Sequence, residues 1–277
     1  VKKVKVALSG DGGDEMFLGY NRYLIAENMN WIFRLPNFFK KIIISIINLG
    51  TSNHWNMLSR IFSQKIVPSQ LGDKLYKLVK ILKDQEPDFY RFIISSFDYP
   101  DSYTISGSEE KGLIWKNNFE SFLTEYVERL KLLDTLTYLP DDILTKVDRS
   151  SMAVSLEVRV PILDHRIVEF SWMLPKEIQI KKSQTKWILR QVLKKYVPEK
   201  LFDRPKMGFG IPLDSWLRKG LKNWASHLLS DEVFNKYQLI KKDDIQLMWR
   251  QHQSKEKNWQ YPIWNILMLH SWAEEYL

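Results

Sequence analysis

Hydrophobic and polar positions follow a short extended pattern at the start of the chain and then a helical period that continues to its end. Val4-Lys5-Val6-Ala7-Leu8 reads as a strand. It runs into Ser9-Gly10-Asp11-Gly12-Gly13-Asp14-Glu15, a turn-forming stretch, and then into a helical pattern over about residues 15–29 that carries Met16, Phe17, Tyr20 and Leu24. Further helices are predicted over about residues 38–49, 54–66, 70–82, 88–97 and 118–132. Pro140-Asp141-Asp142 marks a helix start running to about Ser151, because proline is tolerated in a first turn and acids complement the positive end of the helix dipole. Leu156-Glu157-Val158-Arg159-Val160-Pro161 is short and extended, and Asp164 caps a helix that reaches Met173. Helices over about residues 185–196, 213–229, 243–253 and 261–276 complete the pattern, with no internal repeat and no low-complexity linker.

Two features of this pattern bear on organisation. The apolar run Ile42 to Ile47, behind Lys40-Lys41, is far short of the roughly 20 residues a membrane span needs, so a buried amphipathic helix is expected. A strand that opens a chain needs neighbours to pair with, so the expectation is that sequence upstream of Val1 completes the sheet.

Composition narrows the classes. With 277 residues, 44% of them apolar, the chain can bury a sizeable core in one large or two small domains. Its 41 basic residues exceed its 33 acids by +8, but the lysines are interleaved with the acids, which favours a nucleotide or phosphate ligand over a dedicated nucleic-acid surface. Cysteine is absent, which excludes disulfides, zinc–thiolate sites and a cysteine nucleophile within the chain and is compatible with a cytoplasmic home. His54, His165, His227, His252 and His270 show no metal-ligand spacing, and the eleven tryptophans read as packing residues.

Three constellations remain as candidate chemistry. In the strand–SGDGGDE–helix unit the glycines let backbone approach a ligand and the helix start faces negative charge. Carboxylates beside a phosphate repel it unless a cation intervenes, which makes Asp14 a candidate Mg²⁺ ligand; the competing reading is a tight turn in which Asp11 and Asp14 only cap the helix. In Thr185-Lys186-Trp187-Ile188-Leu189-Arg190, a helix starting near Thr185 puts Lys186 in its first turn and Arg190 one turn later on the same face. Cations there oppose the dipole and call for an anion, although a solvated basic face accounts for the same residues. In the third, Lys146-Val147-Asp148-Arg149-Ser150-Ser151-Met152 leading to Glu157, Arg159 and Asp164, acids and bases alternate near apolar residues; Asp148 is taken to reach the active site, whereas Glu157, Arg159 and Asp164 are expected to form a buried ion-pair frame.

Taken in order, SGDGGDEMFLGY, DRSSMAVSLEVRVPILDHRIVEF, TKWILR and RPKMGFGIP resemble the synthetase domain of asparagine synthases, over a likeness running from Ser9 to about Trp216. The resemblance implies an α/β nucleotide-hydrolase-like domain of the PP-loop ATP pyrophosphatase type, with this chain, residues 1–277, as its mostly α-helical C-terminal part carrying an N-terminal strand. It implies that ATP adenylates the aspartate side chain, that pyrophosphate leaves, and that glutamine-derived ammonia displaces AMP. Ser9 and Gly10 are then expected at ATP, Asp11 at the adenylate, Asp14 at Mg²⁺, and Lys186 at the developing charge, while the glycine turn and the basic helix themselves put Gly12, Gly13 and Arg190 at ATP. The family's pyrophosphate loop and glutaminase domain are expected upstream of Val1, a homodimer is an expected assembly, and the chain alone is expected to be inactive. A β-lactam synthetase branch, which tends to place tyrosine at the position of Asp11, amide transfer onto a larger acceptor, and a non-catalytic basic helical module are the alternatives.

Overall fold

The computed structural model describes residues 3–33, 35–51, 54, 55, 57, 71, 72, 75, 78, 79, 82, 90, 91, 94–97, 99–109, 112, 123, 125–203 and 210–277, with the backbone alone for 28–33. The predicted helices over 54–66 and 70–82, the first part of 118–132, and most of the RPKMGFGIP motif lie largely outside the described residues; of the helix predicted over 88–97, Tyr90, Arg91 and Ile94 are helical and residues 95–97 are not. The chain divides into two compact units: residues 1–90 with 112–204, and residues 91–111 with 205–277.

The first unit is organised by two short parallel strands. β1 (Val6–Leu8) pairs with β2 (Glu157–Arg159), placing Val6 opposite Glu157, Ala7 opposite Val158 and Leu8 opposite Arg159. The ladder extends past both strands: Glu157 N–H donates to the Lys5 carbonyl at 3.0 Å and Ser9 N–H to the Arg159 carbonyl at 2.9 Å. Both strands therefore end on the same side, where the glycine turn after β1 and the Val160-Pro161-Ile162-Leu163 turn after β2 meet. Leu163 lies against Gly12, and Ile162, Leu163, Ile167 and Ile188 pack around buried Met16, Phe17 and Leu139.

The helix predicted over residues 15–29 is two helices. α1 spans only Gly13–Met16, and α2 spans Asn21–Phe33. Between them Leu18 turns left-handed, at φ 52°, which carries the chain out of the first helix and leaves its side chain buried. α3 (Asn37–Asn48) matches its prediction in extent, but its apolar stripe is not buried among the described residues: Ile47 is, while Phe38, Phe39, Ile42 and Ile46 are exposed. The period sets which residues share a face, not what covers it.

Pro140 does not start a helix. It lies inside a continuous helical rod made of α4 (Tyr126–Leu133), π-helical turns over Asp134–Leu144, and α5 (Thr145–Met152). Proline removes an N–H donor and crowds the carbonyl of the preceding turn, and the wider π turns take up that defect. Hydroxyls serve nearby carbonyls: Thr135 donates to Lys131, Thr137 to Leu133 and Thr145 to Pro140, at 2.7, 2.7 and 2.8 Å.

The predicted buried frame of Glu157, Arg159 and Asp164 is a set of exposed local pairs instead. Arg159 Nε meets Glu157 Oε1 at 2.7 Å along one strand face, and Asp164 pairs with Arg166 at 2.8 Å. Asp164 does cap α6 (His165–Met173), accepting from Arg166 N–H at 3.0 Å, so this part of its expected role holds. The one-turn α7 (Lys176–Gln179) and α8 (Trp187–Leu193) follow.

The second unit is helical: α9 (Leu213–Arg218), α10 (Lys222–Leu228), α11 (Asp231–Tyr237), α12 (Lys242–Gln253) and α13 (Gln260–Tyr276). The single helix predicted over 213–229 is broken between Arg218 and Lys222, so that Leu213, Leu217 and Leu228 can all enter one core with Ile245, Ile263 and Leu267. An antiparallel bridge between Thr104 and Ile240 ties residues 99–105 to this core. Trp224, Trp249, Trp259 and Trp264 pack against it as expected, but Trp216 and Trp272 are exposed. No helix among the described residues is long and apolar enough to cross a membrane.

Candidate active site

The turn after β1 is built from local constraints. Gly12 adopts φ 78°, and a Cβ there would drive into the Leu163 side chain, so both backbone conformation and close packing demand glycine. Ser9 Oγ donates to Asp11 Oδ2 and accepts from Asp11 N–H at 3.2 Å, which folds the Asp11 carboxylate back onto the turn. Gly13 and Glu15 are buried while Gly10 is open to solvent, so the turn presents backbone outward on one side only.

Lys186 enters the same place from the opposite end of the unit's sequence. It is not in the first turn of its helix: it precedes α8 at φ 51°, left-handed, and its carbonyl accepts from Arg190 N–H at 3.0 Å. Ahead of it, Lys181 and Gln184 exchange backbone hydrogen bonds around Lys182 and Ser183, whose φ values of 50° and 59° give the tight turn type that favours Asn-Gly. Three left-handed non-glycine residues within five positions are costly, each by about 1–2 kcal/mol, and they redirect the chain so that Lys186 points back across the glycine turn. Its Nζ lies 3.1 Å from Asp14 Oδ2, and neither side chain is more than one-third exposed, at 30% and 26%.

Of the residues expected at the site, the structure thus brings Ser9, Gly10, Asp11, Gly12, Gly13, Asp14 and Lys186 together. Arg190, one turn beyond Lys186, pairs with Asp203 at 3.4 Å rather than with any of these. Asp148 is exposed on α5, and its carboxylate makes no hydrogen bond or ion pair among the described residues. Sharing a motif with Lys146 and Arg149 did not bring Asp148 to the glycine turn, because α5 directs it to solvent.

Behind the turn stands a buried polar network that sequence patterning did not single out. Glu15 accepts from the Tyr20 hydroxyl at 2.6 Å, and burial raises the pKa of both groups. Asp134, fully buried, accepts from Arg22 Nε, the Tyr23 hydroxyl and the Tyr90 hydroxyl at 2.8, 2.6 and 2.7 Å. The Arg22 guanidinium lies 3.9 Å above the Tyr20 ring, so the two groups of residues are joined. Lys131, 2% exposed, donates to the Ser171 carbonyl at 2.8 Å and lies 4.3 Å above the Trp172 ring; burial lowers its pKa to about 8. Ser171 in turn contacts the Met16 sulfur at 3.7 Å, which links this lysine to α1.

Among the described residues no three His, Asp or Glu side chains converge on a metal position. A divalent cation at the turn would find the Asp14 carboxylate, with Asp11 three residues earlier in the same turn, which suits Mg²⁺, since Mg²⁺ takes one or two carboxylates and completes its shell with phosphate oxygens and water.

In open α/β sheets ligands bind outside the carboxyl ends of the strands, the end at which this glycine turn and Lys186 meet. The chain belongs to the asparagine synthase family, which matches residues 1–274. It is 27% identical over 278 residues to asparagine synthetase (glutamine-hydrolyzing) 1 of Bacillus subtilis, covering 98% of this chain and 40% of that protein. It is 31% identical over 152 residues to the asparagine synthetase (glutamine-hydrolyzing) of Cricetulus griseus, covering 52% of this chain and 26% of the relative. With asparagine synthetase (glutamine-hydrolyzing) 1 of Saccharomyces cerevisiae it shares 35% identity over 126 residues, 41% of this chain and 21% of the relative. The chain therefore spans about two fifths of the Bacillus relative's length. No solved structure matches at a significant level.

Proposed function

We propose that this chain is the C-terminal part of the synthetase domain of a glutamine-dependent asparagine synthase with the PP-loop ATP pyrophosphatase fold. In that reading ATP adenylates the aspartate side chain, pyrophosphate departs, and glutamine-derived ammonia attacks the acyl carbon and expels AMP. Family membership supports the reaction class, and the convergence of Lys186 and Asp14 on the glycine turn supports the site.

Ser9, Gly10, Gly12 and Gly13 would carry backbone and hydroxyl groups to the nucleotide. Asp14 would exchange Lys186 for Mg²⁺, whose chemistry is to neutralise phosphate charge. Lys186, released from Asp14, would hold its ammonium against the charge that moves from the carboxylate oxygen to the leaving phosphate. Asp11, held by Ser9, would handle the adenylate. Arg190 is assigned to ATP only on release from Asp203, and Asp148 only if its helix turns it inward; both assignments rest on the pattern of charged residues in the sequence. The acid at position 11 favours ammonia over an internal amine as nucleophile, and the unclustered positive charge disfavours the basic helical module.

The test is Lys186→Ala in the full-length enzyme. Aspartate-dependent pyrophosphate release should fall by at least about 10²-fold, the usual scale for a lost charge-stabilising donor, while glutamine hydrolysis persists. Near-normal release would sink the role given to Lys186.

A further inference from the structure

Gly19 lies in the segment between α1 and α2, and its backbone is not left-handed. The left-handed residue there is its neighbour Leu18, at φ 52°, where glycine would cost nothing and leucine costs about 1–2 kcal/mol. Backbone conformation therefore does not explain a glycine at position 19. Space does. A Cβ at position 19 would run into Asp14 Oδ1 and Lys186 Cε and would lie 2.8 Å from Asp14 Cα. Gly19 N–H also donates to the Asp14 carbonyl at 2.7 Å, so position 19 cannot back away without breaking a bond to the residue whose carboxylate it faces.

We infer that Gly19 is a positioning residue of the site: the volume left by its missing side chain is the slot through which the Lys186 stem reaches Asp14 and the glycine turn. This rests on the reading of Lys186 as the charge-stabilising group. The slot has two walls and an open exit. Gly19 forms the floor and the Asp14 carboxylate one side, while Gly13, whose own missing Cβ would sit 3.7 Å from Lys186 Nζ, leaves the exit open. The strained turn at Lys182 and Ser183 fixes where the stem enters, so a blocked floor cannot be avoided by shifting the entry point without remaking that turn. A methyl at position 19 must therefore displace the ammonium, and a shift of about 1 Å in a catalytic group costs on the order of 10²-fold in rate.

The experiment uses Gly19→Ala, Lys186→Ala and the double variant of the full-length enzyme. In Gly19→Ala, kcat for aspartate-dependent pyrophosphate release should fall about 10²-fold with KM for ATP within about 3-fold of wild type, since the displaced group acts on the transition state. Brief acetylation read by mass spectrometry should show the Lys186 to Lys182 labelling ratio rising several-fold, because Lys182 is already exposed and serves as the internal reference. A kcat within about 3-fold of wild type, or an unchanged labelling ratio, overturns the inference. If Gly19→Ala fails to fold, the double variant decides: emptying the slot of the Lys186 stem should restore folding or raise the melting temperature above that of the single variant, and no such recovery overturns the inference. If Lys186→Ala releases pyrophosphate normally, the role of Lys186 falls, while the labelling ratio still judges the slot by itself.

Discussion

Lys131 offers a sharp quantitative prediction, because its buried ammonium faces carbonyl, amide and aromatic groups and, among the described residues, no carboxylate accepts from it. Its Nζ donates to the Ser171 carbonyl at 2.8 Å, lies 3.4 Å from Gln179 Oε1, and sits 4.3 Å from the Trp172 ring centre. Burial lowers its pKa from 10.5 to about 8, the nearby Glu128 opposing only in part. Folding therefore disfavours the protonated form, and between about pH 8 and pH 10.5 the unfolded chain binds more protons than the native one. Stability must rise with pH through that window. The full effect of a shift from 10.5 to about 8 is on the order of 3 kcal/mol, most of which falls between about pH 7 and pH 10.

Lys131→Met removes the charge at similar volume and deprives Gln179 Oε1 of a donor, at a cost of about 1–3 kcal/mol. Near neutral pH the two terms nearly cancel, so the absolute change is small and the slope is the informative quantity. Urea denaturation of wild type and Lys131→Met at several pH values should show the wild type gaining about 2–3 kcal/mol relative to the variant from pH 7 to pH 10, since other titrations cancel in the difference. Parallel curves would refute the argument that Lys131 is buried without a compensating charge.

Two further outcomes follow from the same geometry. Asp134→Ala leaves the Arg22 guanidinium and two tyrosine hydroxyls without their shared acceptor and should cost about 3–5 kcal/mol in denaturant unfolding; a loss below about 1 kcal/mol would show that water replaces the carboxylate. Gly12→Ala must hold an alanine at φ 78° against Leu163, which should cost about 1–2 kcal/mol in backbone strain and a further 1–3 kcal/mol in overpacking, and should weaken Mg·ATP binding measured by calorimetry; unchanged melting and affinity would remove the turn from the site.

Much of the local structure was legible in the order of residues because it depends on short-range physics. The Val6–Leu8 strand, the glycine turn, the extended Glu157–Arg159 segment and the Asp164 cap all follow from alternation, glycine placement and a side chain reaching its own helix end. Pro140 misled for an equally local reason: one missing N–H looks like a helix start, and only a rod with π turns and threonine hydroxyls to serve its carbonyls could keep it inside. Charge alternation at Glu157, Arg159 and Asp164 likewise says nothing about depth, since adjacent acids and bases pair as readily in water as in a core.

What the chain determined unaided is the chemistry available: glycines that admit a ligand, Asp11 and Asp14 beside them, a lysine and an arginine one helical turn apart, and the order of motifs that marks the family. What only the tertiary structure decided is which of these meet. Lys186 reaches Asp14 across more than half the chain because two parallel strands end together, a left-handed turn redirects the backbone, and Gly19 leaves room for the stem. The glycine at position 19, an interruption in an otherwise helical pattern, was the one visible sign of that slot. Its meaning depends on which side chains occupy the space where its Cβ would stand, and sequence spacing cannot carry that because those atoms come from distant parts of the chain.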